Sequence, residues 1–289
     1  LYVEEMPLRK ERKEEYNIDR EETRKFWGNR MLLFHVSKLQ KIWFDILYRL
    51  RIIFCKYSEG LDDTYPNGLS NYVEKIQQNY RFDVCIVNYY YLTKLLAQTS
   101  IPIKALFTHD CFAYRDLVTG EKILHIDAGT EGRAAQRADY IFTVQNEEYD
   151  YFRLLSPKSH VYNIYSAYTY TPQPVAGNHN IVFLSGGSQF NINGIREFTS
   201  NVFPLIKEKF KDTKRIIGGS ICTQITDLKN KEGIELAGYV QSPDEFYSQA
   251  DIAINPVYQG TGLKIKTFEA VSYDKATLVH PHSARGIFR

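Results

Sequence analysis

Apolar and polar positions change rhythm near residue 70. Between Met31 and Tyr57, the residues Leu32, Val36, Leu39, Trp43, Ile46, Leu50 and Ile53 recur at helical spacing, with Lys38, Lys41, Arg49, Arg51 and Lys56 around them. This spacing predicts a basic amphipathic helix that packs its apolar face on a sheet or, less commonly, lies on an anionic membrane. The preceding stretch, Glu4 to Arg30, interleaves both signs of charge and predicts a solvated helix held by i,i+4 pairs. Leu61 to Gly68 reads as a loop. From Ser70 onward, short apolar runs alternate with helical segments. Helices are expected over Tyr72–Tyr80, Tyr89–Gln98 and Ile123–Ala138, and strands over Asp83–Val87, Ile103–Thr108 and Ala138–Val144. Strands separated by helices imply a parallel sheet with right-handed crossovers.

Tyr168 to Asn180, with Pro172, Pro174 and Gly177, reads as a linker. It divides the chain into domains expected at 1–171 and 172–289. Beyond it the alternation resumes: strand Ile181–Leu184, a glycine turn at Gly186-Gly187, a helix to Phe210, strand Arg215–Ile217 and a short strand and turn over Gly233–Val240. Pro243 with the following acids starts a helix. Ile252, Ala253 and Ile254 then form a strand that stops at Asn255-Pro256. The chain opens at Leu1 without Met and stops just after a strand, so both ends read as cut.

Composition narrows the function. At 289 residues, 44% hydrophobic and 24% charged, the chain suits two folded domains. A net charge of +2 gives a nucleic-acid partner little support. Cys55, Cys85, Cys111 and Cys222 are scattered, which favours free buried thiols and a cytoplasmic setting. No signal peptide or membrane-spanning run is apparent. His280-x-His282 lacks a third ligand at a recognisable spacing, so no metal site is expected.

The candidate chemistry lies near the C-terminus. After the Asn255-Pro256 break comes Gly260-Thr261-Gly262, and then a helix on which Leu263, Ile265, Phe268 and Val271 can share a face. Lys264 and Lys266 fall at its start. Cations there are unfavourable unless an anion lies between them, so the pair suggests a phosphate; the alternative is two solvated lysines after a turn. Glu269 stands near enough along the helix to accept hydrogen bonds from sugar hydroxyls. A second candidate is His109-Asp110, which follows the strand ending at Thr108, where parallel sheets bind ligands.

Asn-Pro, Gly-Thr-Gly, Leu-Lys-Ile-Lys and Phe-Glu-Ala in this order resemble the nucleotide-sugar site of GT-B glycosyltransferases of the family-four type. The resemblance implies an α/β fold of two Rossmann-like domains facing across a cleft. It gives Gly260, Thr261, Gly262, Lys264 and Lys266 to the donor diphosphate, Glu269 to the nucleotide ribose, and Leu263 to the donor site. Where many members carry an earlier glutamate, this chain has Thr261. Gly186 and Gly187 are expected to approach the diphosphate, and Gly238, Tyr239 and Val240 the base. The Thr-His-Asp with a following Arg115 is similar to relatives whose histidine approaches the donor sugar, which makes His109, then Asp110, the catalytic candidates.

The implied activity is retaining, metal-independent transfer of a sugar from a nucleotide-diphosphate sugar to an acceptor hydroxyl on a glycan or lipid-linked acceptor, in cell-surface polysaccharide or glycan synthesis. No cofactor is expected, because the nucleotide sugar is a substrate. Peripheral contact with the inner face of the membrane through 31–57 would fit the basic helix. A nucleotide-sugar epimerase of the same architecture and a non-catalytic sugar-nucleotide-binding scaffold remain alternatives. A dinucleotide oxidoreductase is disfavoured, since no G-x-G-x-x-G follows a strand.

Overall fold

The computed structural model describes residues 2–5, 21, 23–53, 60–119 and 126–285. They fall into two compact units, one on the N-terminal side up to Tyr162 and the other from Asn163 onward, with 117–119 and Thr143–Glu148 grouped with the second.

The first unit departs from the sequence pattern at its start. β1 (Tyr2–Glu5) and β2 (Leu32–His35) pair in parallel, so Leu32 belongs to a strand and not to the amphipathic helix. That helix, α1, runs Lys38–Ile53. Its Leu39, Ile42, Trp43, Ile46 and Leu50 are exposed, so the apolar stripe expected to pack on a sheet is open among the described residues. Most of the charged segment expected as a solvated helix, residues 6–20 and 22, lies outside the described residues, as do 54–59.

The alternating region forms as expected, with adjusted bounds. α2 (Leu69–Tyr80), β3 (Val84–Asn88), α3 (Lys94–Gln98), β4 (Ile103–Phe107), α4 (Phe112–Thr119), α5 (Ala128–Ala135), β5 (Tyr140–Thr143), α6 (Asn146–Leu155) and β6 (His160–Asn163) follow in order. The sheet order is β3-β4-β5-β6, with β3 parallel to β4 and β4 to β5. β3 is at the sheet's edge and is buried on one face only. Cys85 and Val87 point inward, while Val84 and Ile86 are exposed. The helix expected from Tyr89 is a 3-10 turn, Tyr90–Leu92, followed by α3; Thr93 Oγ1 closes the turn on the Tyr90 carbonyl at 2.7 Å. The helix expected from Ile123 begins at Ala128, capped by Asp127, whose side chain accepts from Thr130 N. The Leu61–Gly68 loop is fastened by Arg137, which forks onto Asp62 at 2.6 and 2.9 Å.

The second unit follows the sequence closely. β7 (Ile181–Leu184), α7 (Gln189–Glu197), α8 (Phe203–Lys209), β8 (Arg215–Gly218), β9 (Ile234–Gly238), α9 (Pro243–Ser248), β10 (Ile252–Asn255), α10 (Ile265–Ser272) and β11 (Ala276–Val279) build a five-stranded sheet of order β11-β10-β7-β8-β9. All four strand pairs are parallel. The expected helix to Phe210 is interrupted by a π-turn at Phe198–Val202. The buried side chains Ile181, Phe183, Ile195, Phe203, Ile217, Ile221 and Ile254 pack one face of the sheet, and Val182, Ile216, Phe246, Tyr247 and Ala253 the other. Such two-sided burial is why these strands read as short continuous apolar runs.

Candidate donor-binding site

In the second unit the predicted donor residues gather at the carboxyl ends of the strands. β7 and β10 are neighbours, and the chain leaves β7 toward β8 on one side and β10 toward β11 on the other. That reversal is where open parallel sheets hold ligands. Gly186 and Gly187 follow β7. The Gly186 carbonyl accepts from Asn191 Nδ2 at 2.8 Å, and Gly187 N donates to Ser220 Oγ at 3.3 Å. Gly219 N donates to the Gly238 carbonyl at 2.7 Å, drawing the ends of β8 and β9 together. Tyr239 is exposed, whereas Val240 packs toward Phe246, so of the two only the tyrosine presents a free side chain.

The loop from Gly260 to Lys264 turns on two glycines with φ of +101° and +77°, at Gly260 and Gly262. A side chain is rarely tolerated there, which accounts for Gly-Thr-Gly. α10 starts at Ile265, one residue later than its cap Lys264, and Lys266 lies in its first turn. Lys264 is buried and its Nζ donates to the Thr261 carbonyl at 3.2 Å. Burial, with Lys264 nearby, pushes Lys266 down to about 8, and Glu269 offsets this only partly. Burial likewise raises Glu269, against the pull of Lys266. Two ammonium groups are therefore held near each other at a helix N-terminus, with the Glu269 carboxylate near Lys266, an arrangement that an anion would relieve.

One expectation about α10 is corrected. Ile265 and Val271 are exposed, and Thr267 and Ala270 are buried instead. Asn255 Nδ2 donates to Thr267 Oγ1 at 3.0 Å, fixing the helix rotation from the end of β10. His280 is occupied as a cap, its Nδ1 accepting from His282 N at 3.2 Å. Among the described residues, no group of three or more metal-ligating side chains comes together.

His109 and Asp110 lie in the first unit, at the carboxyl ends of β3 and β4. Both Tyr89 and His109 hold positive φ, +67° and +60°, uncommon for side-chain-bearing residues and found preferentially at functional sites. His109 Nε2 is 2.7 Å from Asn88 Oδ1. As Oδ1 only accepts, the proton is on Nε2 and Nδ1 is the acceptor. The imidazole sits against Phe107 and Tyr89, with ring centroids 4.2 and 4.8 Å away, and burial lowers its pKa, favouring the neutral ring at pH 7. Asp110 accepts from Cys111 N at 2.9 Å and pairs with Arg115 at 3.4 Å.

Residues 178–288 match the family model described as glycosyl transferases group 1. Over this stretch the chain is similar to the group 1 glycosyl transferases. No curated protein matches the chain. Its fold is similar to that of Anabaena HepE, crystallised with UDP and glucose (TM-score 0.58, 14% identity, 90% of this chain and 70% of that one). It is also similar to TarM, known from S. aureus (0.58, 13%, 74% and 45%), and to the pneumococcal O-GlcNAc transferase GtfA, crystallised with UDP and GlcNAc (0.55, 11%, 74% and 45%). These likenesses assign the GT-B fold. The chain spans less than half the length of TarM and GtfA.

Two features are not legible in the sequence. Glu131, buried in α5, accepts from Phe112 N, Ala113 N and Tyr151 Oη at 2.9, 3.1 and 2.7 Å, and so holds the start of α4 beside Asp110. An acid four residues after Asp127 reads as a solvated first-turn residue, and no local signal shows its burial. The segment taken as a linker has no helix or strand, yet it is bonded to the end of α10, with Thr171 N donating to the Ser272 carbonyl at 2.8 Å and Gln173 N to the Tyr273 carbonyl at 3.1 Å.

Proposed function

We propose that this chain binds a nucleotide-diphosphate sugar at Gly260–Glu269 and transfers the sugar to an acceptor hydroxyl. The observation that carries this reading is Lys266, an ammonium held in a costly, largely buried setting beside a positive-φ glycine loop and a helix N-terminus. The growing charge of a leaving diphosphate would be met by Lys264, Lys266 and the loop N–H groups. Those groups supply the positive charge without a metal, so transfer is proposed to be metal-independent, with retention of configuration as in the family resembled. The acceptor class is a glycan or lipid-linked hydroxyl. The exposed apolar stripe of α1, flanked by basic residues, supports peripheral contact with an anionic membrane.

Calorimetric titration with UDP, GDP, ADP and dTDP tests the donor site. One nucleoside diphosphate is expected to bind, and Glu269→Ala to weaken it by about 1–3 kcal/mol, the scale of lost hydrogen bonds to a charged group. Equal affinities in parent and variant would show that the ribose contact lies elsewhere. Turnover is assigned to His109. His109→Ala is expected to lower kcat by about 100-fold or more, the range for a lost acid–base or orienting group, with nucleotide affinity retained. An unchanged kcat would remove His109 from the chemistry.

A further inference from the structure

Resting on the donor-site reading above, we infer that Tyr168 forms the ribose-side wall of the nucleoside slot and selects a nucleoside diphosphate over a bare diphosphate. Residues 168–174 lie along α10, the helix that carries Lys266 and Glu269. Besides the two backbone bonds to its C-terminal end, Lys275 Nζ donates to the Pro174 carbonyl at 3.1 Å. Followed back from Thr171, the strap brings Tyr168 to the middle of α10. There its ring stacks on Phe268, with centroids 6.1 Å apart and planes within 8° of parallel. Phe268 precedes Glu269 directly, and the Glu269 charge adds to burial in raising the Tyr168 hydroxyl.

The Glu269 charge acts on more than one tyrosine. Tyr247 and Tyr273, stacked at 4.5 Å, also feel its charge, but Tyr247 is only 2% exposed. Tyr168 is 37% exposed. A tyrosine stacked on protein through one face, partly open to solvent and next to a carboxylate suits a ligand with an apolar face and adjacent hydroxyls. A ribose with its 2′- and 3′-hydroxyls has that character; inorganic pyrophosphate has neither feature. The ring contact lies 100 residues away in sequence, and the strap bonds fix it independently of any ligand.

The discriminating experiment is paired titration of the full chain with UDP and with inorganic pyrophosphate. Tyr168→Ala is expected to weaken UDP by about five- to tenfold, the scale of a lost aromatic contact, and to leave pyrophosphate affinity unchanged. Tyr168→Phe, which keeps the stack, is expected to recover most of the UDP affinity. Equal UDP affinity in parent and Tyr168→Ala would overturn this inference alone. A parallel loss of UDP and pyrophosphate would overturn it too, since that outcome marks a distorted α10. A parent that binds pyrophosphate but none of the nucleoside diphosphates would overturn both this inference and the donor-site reading.

Discussion

Replacing Lys266 with Met is expected to raise the melting temperature of the unliganded protein by a few degrees while abolishing its stabilisation by UDP. The charged ammonium loses more from burial and from Lys264 than it gains from Glu269, as its depression from 10.5 to about 8 records. Each unit of such a shift corresponds to about 1.4 kcal/mol. Partial exposure and the loss of a cation near Glu269 reduce the net gain to about 1–2 kcal/mol. Methionine matches the length of the stem without the charge. Because the folded-state pKa lies below the unfolded one, the unfolded chain binds more protons between about pH 8 and 10.5. This group therefore makes the parent more stable as pH rises through that window, and Lys266→Met should lack that rise. Thermal melts at pH 7 and pH 9.5, with and without UDP, measure all of this. A variant that melts below the parent and still responds to UDP would show that Lys266 is a structural cation.

The same group sets the pH dependence of binding. An ammonium that titrates near 8 is needed in its charged form by a diphosphate, so UDP affinity is expected to fall as pH rises above that value. Retention of full affinity at pH 9.5 would leave Lys264 and the loop amides as the dominant contacts.

What the sequence made legible follows the range of the interactions involved. In the second unit, the central strands β7, β8 and β10 are buried on both faces and leave apolar runs that stop at glycines or at Asn255-Pro256, so these elements and the donor loop stand out locally. The rotation of α10 does not. Its side toward the sheet is chosen by the Asn255–Thr267 bond and by the small side chain of Ala270, while the larger Ile265 and Val271 remain outside. In the first unit, Leu32 fits a helical period equally well, and only pairing with Tyr2 makes it a strand residue. His109 was visible as a polar residue after a strand, but its left-handed backbone and its bond to Asn88 depend on a neighbouring strand. Tyr168 was hidden for the same reason: a proline-punctuated stretch reads as a linker until its partners, 100 residues on, are known.

Glu131→Ala is expected to destabilise the first unit by about 3–5 kcal/mol, since each buried donor left unsatisfied costs about 1–3 kcal/mol. The carboxylate is 1% exposed and takes three hydrogen bonds, two from the first turn of α4 and one from Tyr151. Alanine leaves the two α4 amides buried without this partner, takes the acceptor from the half-buried Tyr151 and opens a cavity behind them. Burial raises Glu131, with its hydrogen bonds working the other way. A raised folded-state pKa means that this group contributes more stability on the acid side, lost as pH rises through the folded value. Glu131→Gln should be milder, since its amide oxygen can still accept from α4 while its NH2 group meets donors at the other positions. Urea unfolding followed by far-ultraviolet circular dichroism at pH 5 and pH 7.5 would rank parent, Gln and Ala variants. Because α4 begins two residues after Asp110, the Ala variant should also lose turnover ahead of nucleotide binding, which depends on the other unit. An Ala variant as stable as the parent would mean that water satisfies those donors and that Glu131 does not hold the His109 turn in place.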